Sequence, residues 1–296
     1  MKTTDPNGSN TPRIDGVLPM PKVSVITVVR NDRAGLAKTI DSVAAQVYPD
    51  LEFIVIDGAS TDGTVEVLQQ NRERIDYWVS EPDAGLYDAM NKGKAAASGS
   101  FAVFVNAGDT FAASNALERL LTPLPAPNTV LCGNVRISHG SKRWQMPPRA
   151  GDQPFLPAGY IPHHQTVLYP RAHFETADYD LAFRIMGDVD YTCRAIRRFP
   201  MEHRDVYLVE TILGGFTFTN YRSLKGALQM NRERQALYRK YALDYSRLQA
   251  TCLAGMTFAK FIFVSLVGIA ATTWLMQWKT RLAFTKSLGH VRWRRD

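Results

Sequence analysis

The sequence predicts an α/β protein with a mostly parallel central sheet and helices on both of its faces. Two observations predict this class. Short β-branched or apolar runs alternate with segments whose apolar residues recur at helical spacing, as in successive β-α-β units. Each apolar run is also followed by a polar loop, and open parallel sheets collect ligands at these carboxyl ends of their strands. With 296 residues, the chain is long enough for one large domain or two ordinary ones.

The predicted elements alternate through the first third of the chain. Four strands are expected, at residues 23–29, 53–56, 77–79 and 101–105. The first helix begins after Asn31 and Asp32, and the second runs through Val65. A third helix is expected at 87–97 and ends before Gly99. After these elements the pattern becomes less regular, which predicts mixed strands in the second half.

The most informative loop is Asn-Ala-Gly-Asp at 106–109, which comes after the apolar run 101–105. Its last residue, Asp109, is well placed to hold a hard divalent cation against a diphosphate, because a carboxylate at this position lies at the end of a buried strand. Two more acidic loops follow apolar runs upstream. Together the three loops indicate an enzyme that binds a nucleoside diphosphate.

Composition is that of a folded protein, with 45% hydrophobic and 21% charged residues. The three cysteines, Cys132, Cys193 and Cys252, lie far apart without paired spacing. This argues against a zinc site or a disulfide framework and fits a reducing compartment.

The net charge of +7 is concentrated near the C-terminus. Residues 221–296 carry 14 Lys and Arg against 3 Asp and Glu, whereas residues 1–220 carry 21 against 25. A nucleic-acid binder more often spreads basic residues over its folded face, so no nucleic-acid partner is expected. A basic tail beside a long apolar run indicates an anionic membrane surface instead.

The tail contains two segments with membrane character. Residues 224–245 predict a basic amphipathic helix, which either lies in a membrane interface or packs on its own domain with a solvated basic face. Residues 261–278 are almost wholly apolar but marginal in length for the about 20 residues of a spanning helix. A span, an in-plane helix and a buried helix in a homodimer stay open, and membrane association without a full crossing is favoured.

Four stretches together carry a family resemblance: VSVITVVRND at 23–32, IVIDGASTDGTVEVL at 54–68, SEPDAGLYDAMNKGKAAASGSFAVFVNAGD at 80–109 and HHQTVLYPR at 163–171. They resemble the family 2 glycosyltransferases, and within them the bacterial exopolysaccharide and colanic-acid type. The resemblance covers about residues 22–220. It implies a GT-A fold, a nucleoside-diphosphate (NDP) sugar donor, Mg²⁺ or Mn²⁺, and inversion at the anomeric carbon.

Four regions are expected on this basis. Residues 1–21 are a polar, disordered leader without the apolar core of a signal peptide, which favours a cytoplasmic body. Residues 22–110 form the nucleotide-sugar-binding half of the GT-A domain, and 111–220 form the acceptor-binding half. Residues 221–296 form a helical, membrane-associating tail, which places the protein at the inner face of the cell membrane.

The resemblance implies a set of donor contacts: Val29, Asn31, Asp57, Asp88, Asn91, Lys92 and Asn106. Asp57, at the end of the second strand, is expected to accept a hydrogen bond from an N–H of the nucleotide base. Lys92 is expected near the ribose or the phosphates. Asp62 is interpreted as a helix-capping residue, since Asp is favoured there.

Asp109 matches the last acid of the family's metal-binding motif. Many relatives carry a further acid in this motif, where the present chain has Asn106 and Gly108. A single full carboxylate therefore remains, and the cation would take most of its ligands from diphosphate oxygens and water.

The catalytic base is expected to be a carboxylate in the second half, within reach of an acceptor hydroxyl. Asp188, at the start of a predicted helix, is the preferred candidate, and Asp190 is the runner-up. Asp178 and Asp180 are interpreted as turn residues. The resemblance also places His164 near the diphosphate or the acceptor.

Two other functions fit this sequence less well than sugar transfer. A nucleotidyltransferase that makes NDP-sugars would normally begin with a Gly-rich loop after the first strand, and the loop at 29–33 has no glycine. A catalytically inactive membrane-bound scaffold would leave Asp57, Asp109 and Asp188 without a role. The sequence therefore favours a glycosyltransferase with a saccharide acceptor, and the tail indicates a lipid-linked one.

Overall fold

A computed structural model of the protein describes residues 20–139, 142–146, 162–212 and 223–241. Most of the predicted leader and the apolar segment 261–278 lie outside the described residues.

Four parallel strands form the first part of the sheet: β1 (Val23–Val29), β2 (Leu51–Asp57), β3 (Tyr77–Ser80) and β4 (Phe101–Phe104). β1 pairs in parallel with β2 on one side and β4 on the other, and β3 extends the sheet beyond β2. All four carboxyl ends therefore lie at the same edge, each within a residue or two of its predicted end.

The second half adds five strands with mixed directions: β5 (Thr110–Phe111), β6 (Val130–His139), β7 (Lys142–Met146), β8 (Val167–Pro170) and β9 (Met201–Ile212). The order across the sheet is β3-β2-β1-β4-β8-β6-β9-β5, and β7 pairs with β6. β8 is antiparallel to both β4 and β6, whereas β9 is parallel to β6. The domain boundary predicted near residue 110 falls at β5, and the roles assigned to the two halves stay predictions.

The helices lie between these strands or follow them: α1 (Arg33–Ala44), α2 (Thr64–Gln70), α3 (Leu86–Ala96), α4 (Ala116–Leu121), α5 (Arg171–Phe174), α6 (Gly187–Arg198) and α7 (Leu224–Lys240). The cap predicted for α1 is confirmed, because the Asp32 carboxylate accepts a hydrogen bond from the Gly35 amide at 2.9 Å. Asp62 was expected to cap α2, but the N-cap is Gly63, and Asp62, one residue earlier, accepts hydrogen bonds from the amides of Thr64 and Arg33 at 3.1 Å each.

The sheet is buried on both faces, which explains its continuous apolar strands. Val25 and Val29 of β1 pack in one cluster with apolar residues of α1, α2 and α4. Ile26 and Val28 point to the opposite face and pack with residues of α3 and α6. This alternation follows from the two-residue period of a strand. The predicted α/β class with helices on both faces is confirmed.

α7 packs against the body of the protein through one face. Its buried positions recur every three or four residues: Ala227, Met230, Glu233, Leu237 and, just after the helix, Tyr241. Its other side carries Leu224 and Leu228, which are 44% and 46% exposed. Of the two arrangements predicted for this segment, the structure shows a packed helix with an outward basic and apolar side. Within the described part of the chain, the helices all fall short of the length and apolar character that membrane crossing requires.

Candidate active site

The loops after β1 and β2 are tied together through Asn31. Its amide donates to the Ser60 hydroxyl at 2.7 Å, and its side-chain oxygen accepts from the Thr61 amide at 2.8 Å. Asn31 has a φ of 52°, in the left-handed region that Asn tolerates better than most residues. It follows directly on Val29 and Arg30, so the predicted donor residues Val29 and Asn31 lie at the edge where these loops meet.

The loop after β4 is fixed by Thr39 of α1. The Thr39 hydroxyl lies 2.8 Å from the carbonyl oxygen of Asp109 and accepts a hydrogen bond from the Gly108 amide at 3.1 Å. Gly108 has a φ of 92°, and a Cβ built there would lie 3.6 Å from the Asp32 carboxylate. The loop that carries Asp109 is thereby held against α1.

Asp57 is fully buried at the end of β2. Its carboxylate accepts hydrogen bonds from the Ser60 amide at 3.0 Å, from the Ser80 hydroxyl at 2.6 Å and from the Ser60 hydroxyl. A carboxylate offers about four acceptor positions, so these bonds leave room for one more donor. Because the Asp57 side chain is fully buried, a nucleotide base could reach that position only if a neighbouring side chain moved, and the predicted bond stays a prediction.

The predicted donor residues of α3 make contacts within the protein. Lys92 lies 2.7 Å from Glu81 and 3.8 Å from Asp88, and it donates to the Pro82 carbonyl at 2.9 Å. Asn91 uses both ends of its amide on the Tyr179 backbone, at 3.0 and 2.7 Å. These contacts fix the 81–88 loop and the Tyr179 segment, and a role in donor binding stays a prediction for all three predicted residues.

Asp109 is 6% exposed, and its carboxylate accepts a hydrogen bond from the side-chain amide of Gln165. Burial raises the pKa of the Asp109 carboxyl to about 6, although hydrogen bonds from Thr211 and Gln165 and the nearby His164 act in the opposite direction. Ionisation of Asp109 is therefore less favourable here than in water, and a cation close to the carboxylate would offset this cost.

Asp188 lies in the first turn of α6 and contacts two side chains. The Nδ1 atom of His164 is 3.3 Å from Oδ2, and the Tyr87 hydroxyl is 3.0 Å from Oδ1. Burial favours the neutral form of Asp188, but the hydrogen bonds from His164 and Tyr87 outweigh it and hold the pKa below its usual value. The side chain is still 26% exposed, so an ionised carboxylate remains accessible to a ligand.

The runner-up, Asp190, has a different environment. It is fully buried, and its carboxylate lies 2.7 Å from Lys240 Nζ, 3.0 Å from Arg194 Nε and 2.7 Å from the Tyr241 hydroxyl. Oδ1 joins α6 to Lys240 and Tyr241 at the end of α7, and Oδ2 pairs with Arg194 within α6, so both oxygens are occupied. The geometry therefore favours Asp188 as the base.

The oxygen atoms around Asp109 are suitable ligands for a hard cation. Asn106 Oδ1 and Gln165 Oε1 are buried without a hydrogen-bond partner among the described residues, and Mg²⁺ and Mn²⁺ prefer oxygen ligands. The described residues contain no group of three or more His, Cys, Asp or Glu that could hold a metal ion alone. A cation here would need ligands from a diphosphate and water, as the sequence predicts.

Sequence reasoning missed three side chains that shape this site. Tyr87 and Gln165 both lie in stretches that carry the family resemblance, and Gln165 directly follows the predicted His164. Neither residue was assigned a role from the sequence. The close approach of the Tyr87 ring requires Gly187, where a Cβ would lie 2.8 Å from ring atoms. The third is Glu233, an acid on the packed face of α7. An acid among the apolar residues of a helix was the one feature of the sequence that could have indicated its role.

The sheet with helices on both faces, and the acids Asp57 and Asp109 at or after the ends of its parallel strands, are what the resemblance to glycosyltransferases implies. The chain belongs to the Glycosyl transferase family 2, whose model matches residues 24–245. This confirms the family resemblance and disfavours the nucleotidyltransferase alternative, while the exopolysaccharide and colanic-acid type stays a prediction.

Two relatives and two solved structures show the extent of the similarity. The chain is 37% identical to the uncharacterized glycosyltransferase Rv1514c of Mycobacterium tuberculosis over 181 residues, which cover 59% of this chain and 69% of that protein. It is 28% identical to the PGL/p-HBAD biosynthesis glycosyltransferase Rv2957 of the same organism over 195 residues, covering 64% and 75%.

The solved structures share the fold at lower identity. Residues 1–349 of TarS from S. aureus in complex with UDP superpose with a TM-score of 0.53 at 16% identity, covering 83% of this chain and 72% of that one. The mannosyltransferase PcManGT from Pyrobaculum calidifontis, in complex with GDP-Man and Mn²⁺, gives a TM-score of 0.57 at 16% identity, covering 90% and 81%.

We expect Asp109→Asn to stabilise the protein in a metal chelator at pH 8. The folded-state pKa of about 6 lies above the ordinary value of 3.8. The ionised carboxylate therefore costs stability above pH 6, by about 3 kcal/mol at 1.36 kcal/mol per pKa unit, and this cost disappears as the pH falls towards 4. Denaturant titrations of both proteins at pH 8 and pH 4.5 measure the difference.

Asp41→Asn is the control for this comparison, because the Asp41 side chain is 73% exposed and pairs with Arg74 at the surface. It should change stability little at either pH. A variant Asp109→Asn that is less stable than wild type at pH 8, or equally affected at both pH values, would contradict the assigned burial cost.

Proposed function

We propose that the protein is an inverting glycosyltransferase that moves a sugar from an NDP-sugar to a hydroxyl of a saccharide acceptor in surface polysaccharide biosynthesis. One observation carries the proposal. Two consecutive side chains, His164 and Gln165, contact the proposed base Asp188 and the proposed metal ligand Asp109 respectively. An accessible, ionised carboxylate and a buried acid suited to a cation are thereby joined in one site.

The proposed reaction uses Asp188 as a general base. It takes the proton from the acceptor hydroxyl as that oxygen attacks the anomeric carbon from the face opposite the diphosphate. The transition state resembles an oxocarbenium ion, as in glycoside hydrolysis. Direct displacement inverts the configuration and requires no nucleophilic side chain. His164 and Tyr87 orient the carboxylate, since each contacts one of its oxygens.

The donor is proposed to lie along the edge formed by the loops after β1, β2 and β4. UDP in the TarS complex and GDP-Man in the PcManGT complex support a nucleoside-diphosphate donor on this fold. Val29, Asn31, Asp57 and Asn106 belong to these loops, and Asp88, Asn91 and Lys92 would complete the donor contacts. Mg²⁺ or Mn²⁺ held by Asp109 would neutralise negative charge on the leaving diphosphate.

The acceptor is proposed to be lipid-linked, with the protein at the cytoplasmic face of the cell membrane. The basic tail supports this location. On α7, Leu224 and Leu228 are exposed together with Lys225, Arg232 and Arg239, a combination suited to an anionic lipid surface. A homodimer through 261–278 remains a further proposal, outside the described residues.

A thermal-shift screen of NDP-sugars with and without Mn²⁺ tests the donor assignment. The true donor should raise the melting temperature, because a ligand that binds only the folded state stabilises it, and Mn²⁺ should increase the shift. AMP and free monosaccharides serve as controls without a diphosphate. Absence of a shift with every NDP-sugar, at concentrations that stabilise a known family member, would contradict the proposal.

Asp188→Asn should lower turnover by about 100- to 10,000-fold, the usual contribution of a general base, while the dissociation constant of the NDP-sugar stays nearly unchanged. Initial rates with the identified donor and acceptor, together with calorimetric donor binding, measure both quantities. Asp180→Asn is the matched control, since Asp180 only accepts a bond from the Ala182 amide in its own turn and weakly approaches Lys240. Equal loss in both variants, or lost donor binding in Asp188→Asn, would remove Asp188 as the base.

Truncation after Tyr241 should weaken binding to vesicles that contain anionic phospholipid while leaving the folded body intact, and the exposed side of α7 would account for the binding that remains. The segment removed carries most of the apolar and basic residues of the tail, and α7 with its packed face is retained. Cosedimentation with anionic and with neutral vesicles measures the effect, and circular dichroism checks the fold. Undiminished binding of the truncated protein to anionic vesicles would refute the assignment of membrane affinity to 242–296.

A further inference from the structure

Glu233 of α7 holds the chain that leads into α6. It is 4% exposed, and its carboxyl oxygens accept hydrogen bonds from three successive amides. These are Arg184 at 2.8 Å, Ile185 at 2.9 Å and Met186 at 2.9 Å. Gln229, one turn earlier on α7, donates to the same carboxyl group at 2.7 Å.

The three amides have no helical partners of their own, because they precede the first residue of α6, Gly187. Buried backbone amides need acceptors, and Glu233 supplies one for each. The same segment is also held by Tyr87, whose hydroxyl lies 2.8 Å from the Ile185 carbonyl. That hydroxyl also contacts Asp188. The backbone just before Asp188 is therefore held through three amides by Glu233 and through one carbonyl by Tyr87.

We propose that Glu233 is a positioning residue for the sugar transfer: by fixing residues 184–186 it sets the place of the Asp188 carboxylate against His164. This inference rests on the proposed function. A misplacement of about 1 Å in a reacting group can lower the rate by about 100-fold. Hydrogen bonds that fix the backbone two residues before the base can therefore affect turnover. Glu233 touches no reacting atom and acts through Asp188.

A second contact supports a scaffold role for α7. At its end, Lys240 and the Tyr241 hydroxyl each lie 2.7 Å from the carboxylate of Asp190, in the first turn of α6. The Arg197 guanidinium also donates to the Tyr241 carbonyl at 2.7 Å. α7 thus holds the loop before α6 through Glu233 and the helix itself through its last turn. The buried acid of α7, Glu233, thus has a specific partner in the backbone of residues 184–186.

Glu233→Gln in the full-length protein tests the proposal. Gln keeps the size of the side chain, but only one oxygen remains to accept from three amides, and its NH₂ group faces donors. We expect kcat to fall by about 10- to 100-fold while KM for the NDP-sugar changes less than about twofold, since the donor site is not touched. Glu233→Asp keeps both oxygens but places them one methylene further from the amides, so it should also lower kcat and leave KM nearly unchanged. This variant tests the proposal if Glu233→Gln does not fold.

Leu237→Ala is the matched control on the same helix. It removes packing against Phe183 and Cys193 but leaves the bonds of Glu233 to the backbone. This variant should lose melting temperature and keep kcat. If the role of Glu233 were only to dock α7, the loss of kcat in the two variants would follow their loss of stability.

A double variant shows whether Glu233 acts through Asp188. In an Asp188→Asn background, Glu233→Gln should cause no further loss of the residual rate, because the group it positions is gone. Full additivity, or an unchanged kcat for Glu233→Gln and Glu233→Asp in an enzyme whose wild type is active, would overturn the inference alone. A wild type that transfers no sugar from any NDP-sugar would overturn the proposed function and this inference with it.

Discussion

The contact pair made by His164 and Gln165 is the constraint on which the active site depends. His164 reaches Asp188 on α6, and Gln165 reaches Asp109 in the loop after β4. Both belong to a short 3₁₀ turn, His164–Thr166, immediately before β8, and β8 pairs with β4 and β6 in the middle of the sheet. The turn that contacts both acids is therefore anchored to the middle of the sheet.

The partners of the buried acids distinguish their roles. Asp190 lies against Lys240 and Arg194 and joins two helices. Glu233 is satisfied by backbone amides, and Asp57 by serines. Asp109 is held by the neutral side chains of Gln165 and Thr211, and burial raises its pKa to about 6. Among these acids, Asp109 is the one whose ionised form would gain most from a cation that arrives with a diphosphate.

The sequence was sufficient for the four parallel strands, the acidic loops and the family, because strand periodicity, turn residues and motifs are local features, whereas β5 to β9 were expected only as mixed strands. Asp109, Asp188 and His164 were predicted separately, and the structure shows that His164 lies beside Asp188. The partners were not predictable. Asn91 binds Tyr179, 88 residues away, and Glu233 binds Ile185, 48 residues away. Such contacts depend on tertiary packing, which also decided that the basic helix α7 packs on the body.

Mn²⁺ binding in the presence of a nucleoside diphosphate tests the central claim most directly. Electron paramagnetic resonance titrations would compare wild type with Asp109→Asn, each with and without UDP or GDP. Our account predicts that wild type binds Mn²⁺ tightly only when the diphosphate is present, since the protein supplies few ligands, and that the variant loses this binding. Tight Mn²⁺ binding by the wild type without a nucleotide, or equal binding by the variant with one, would contradict the account.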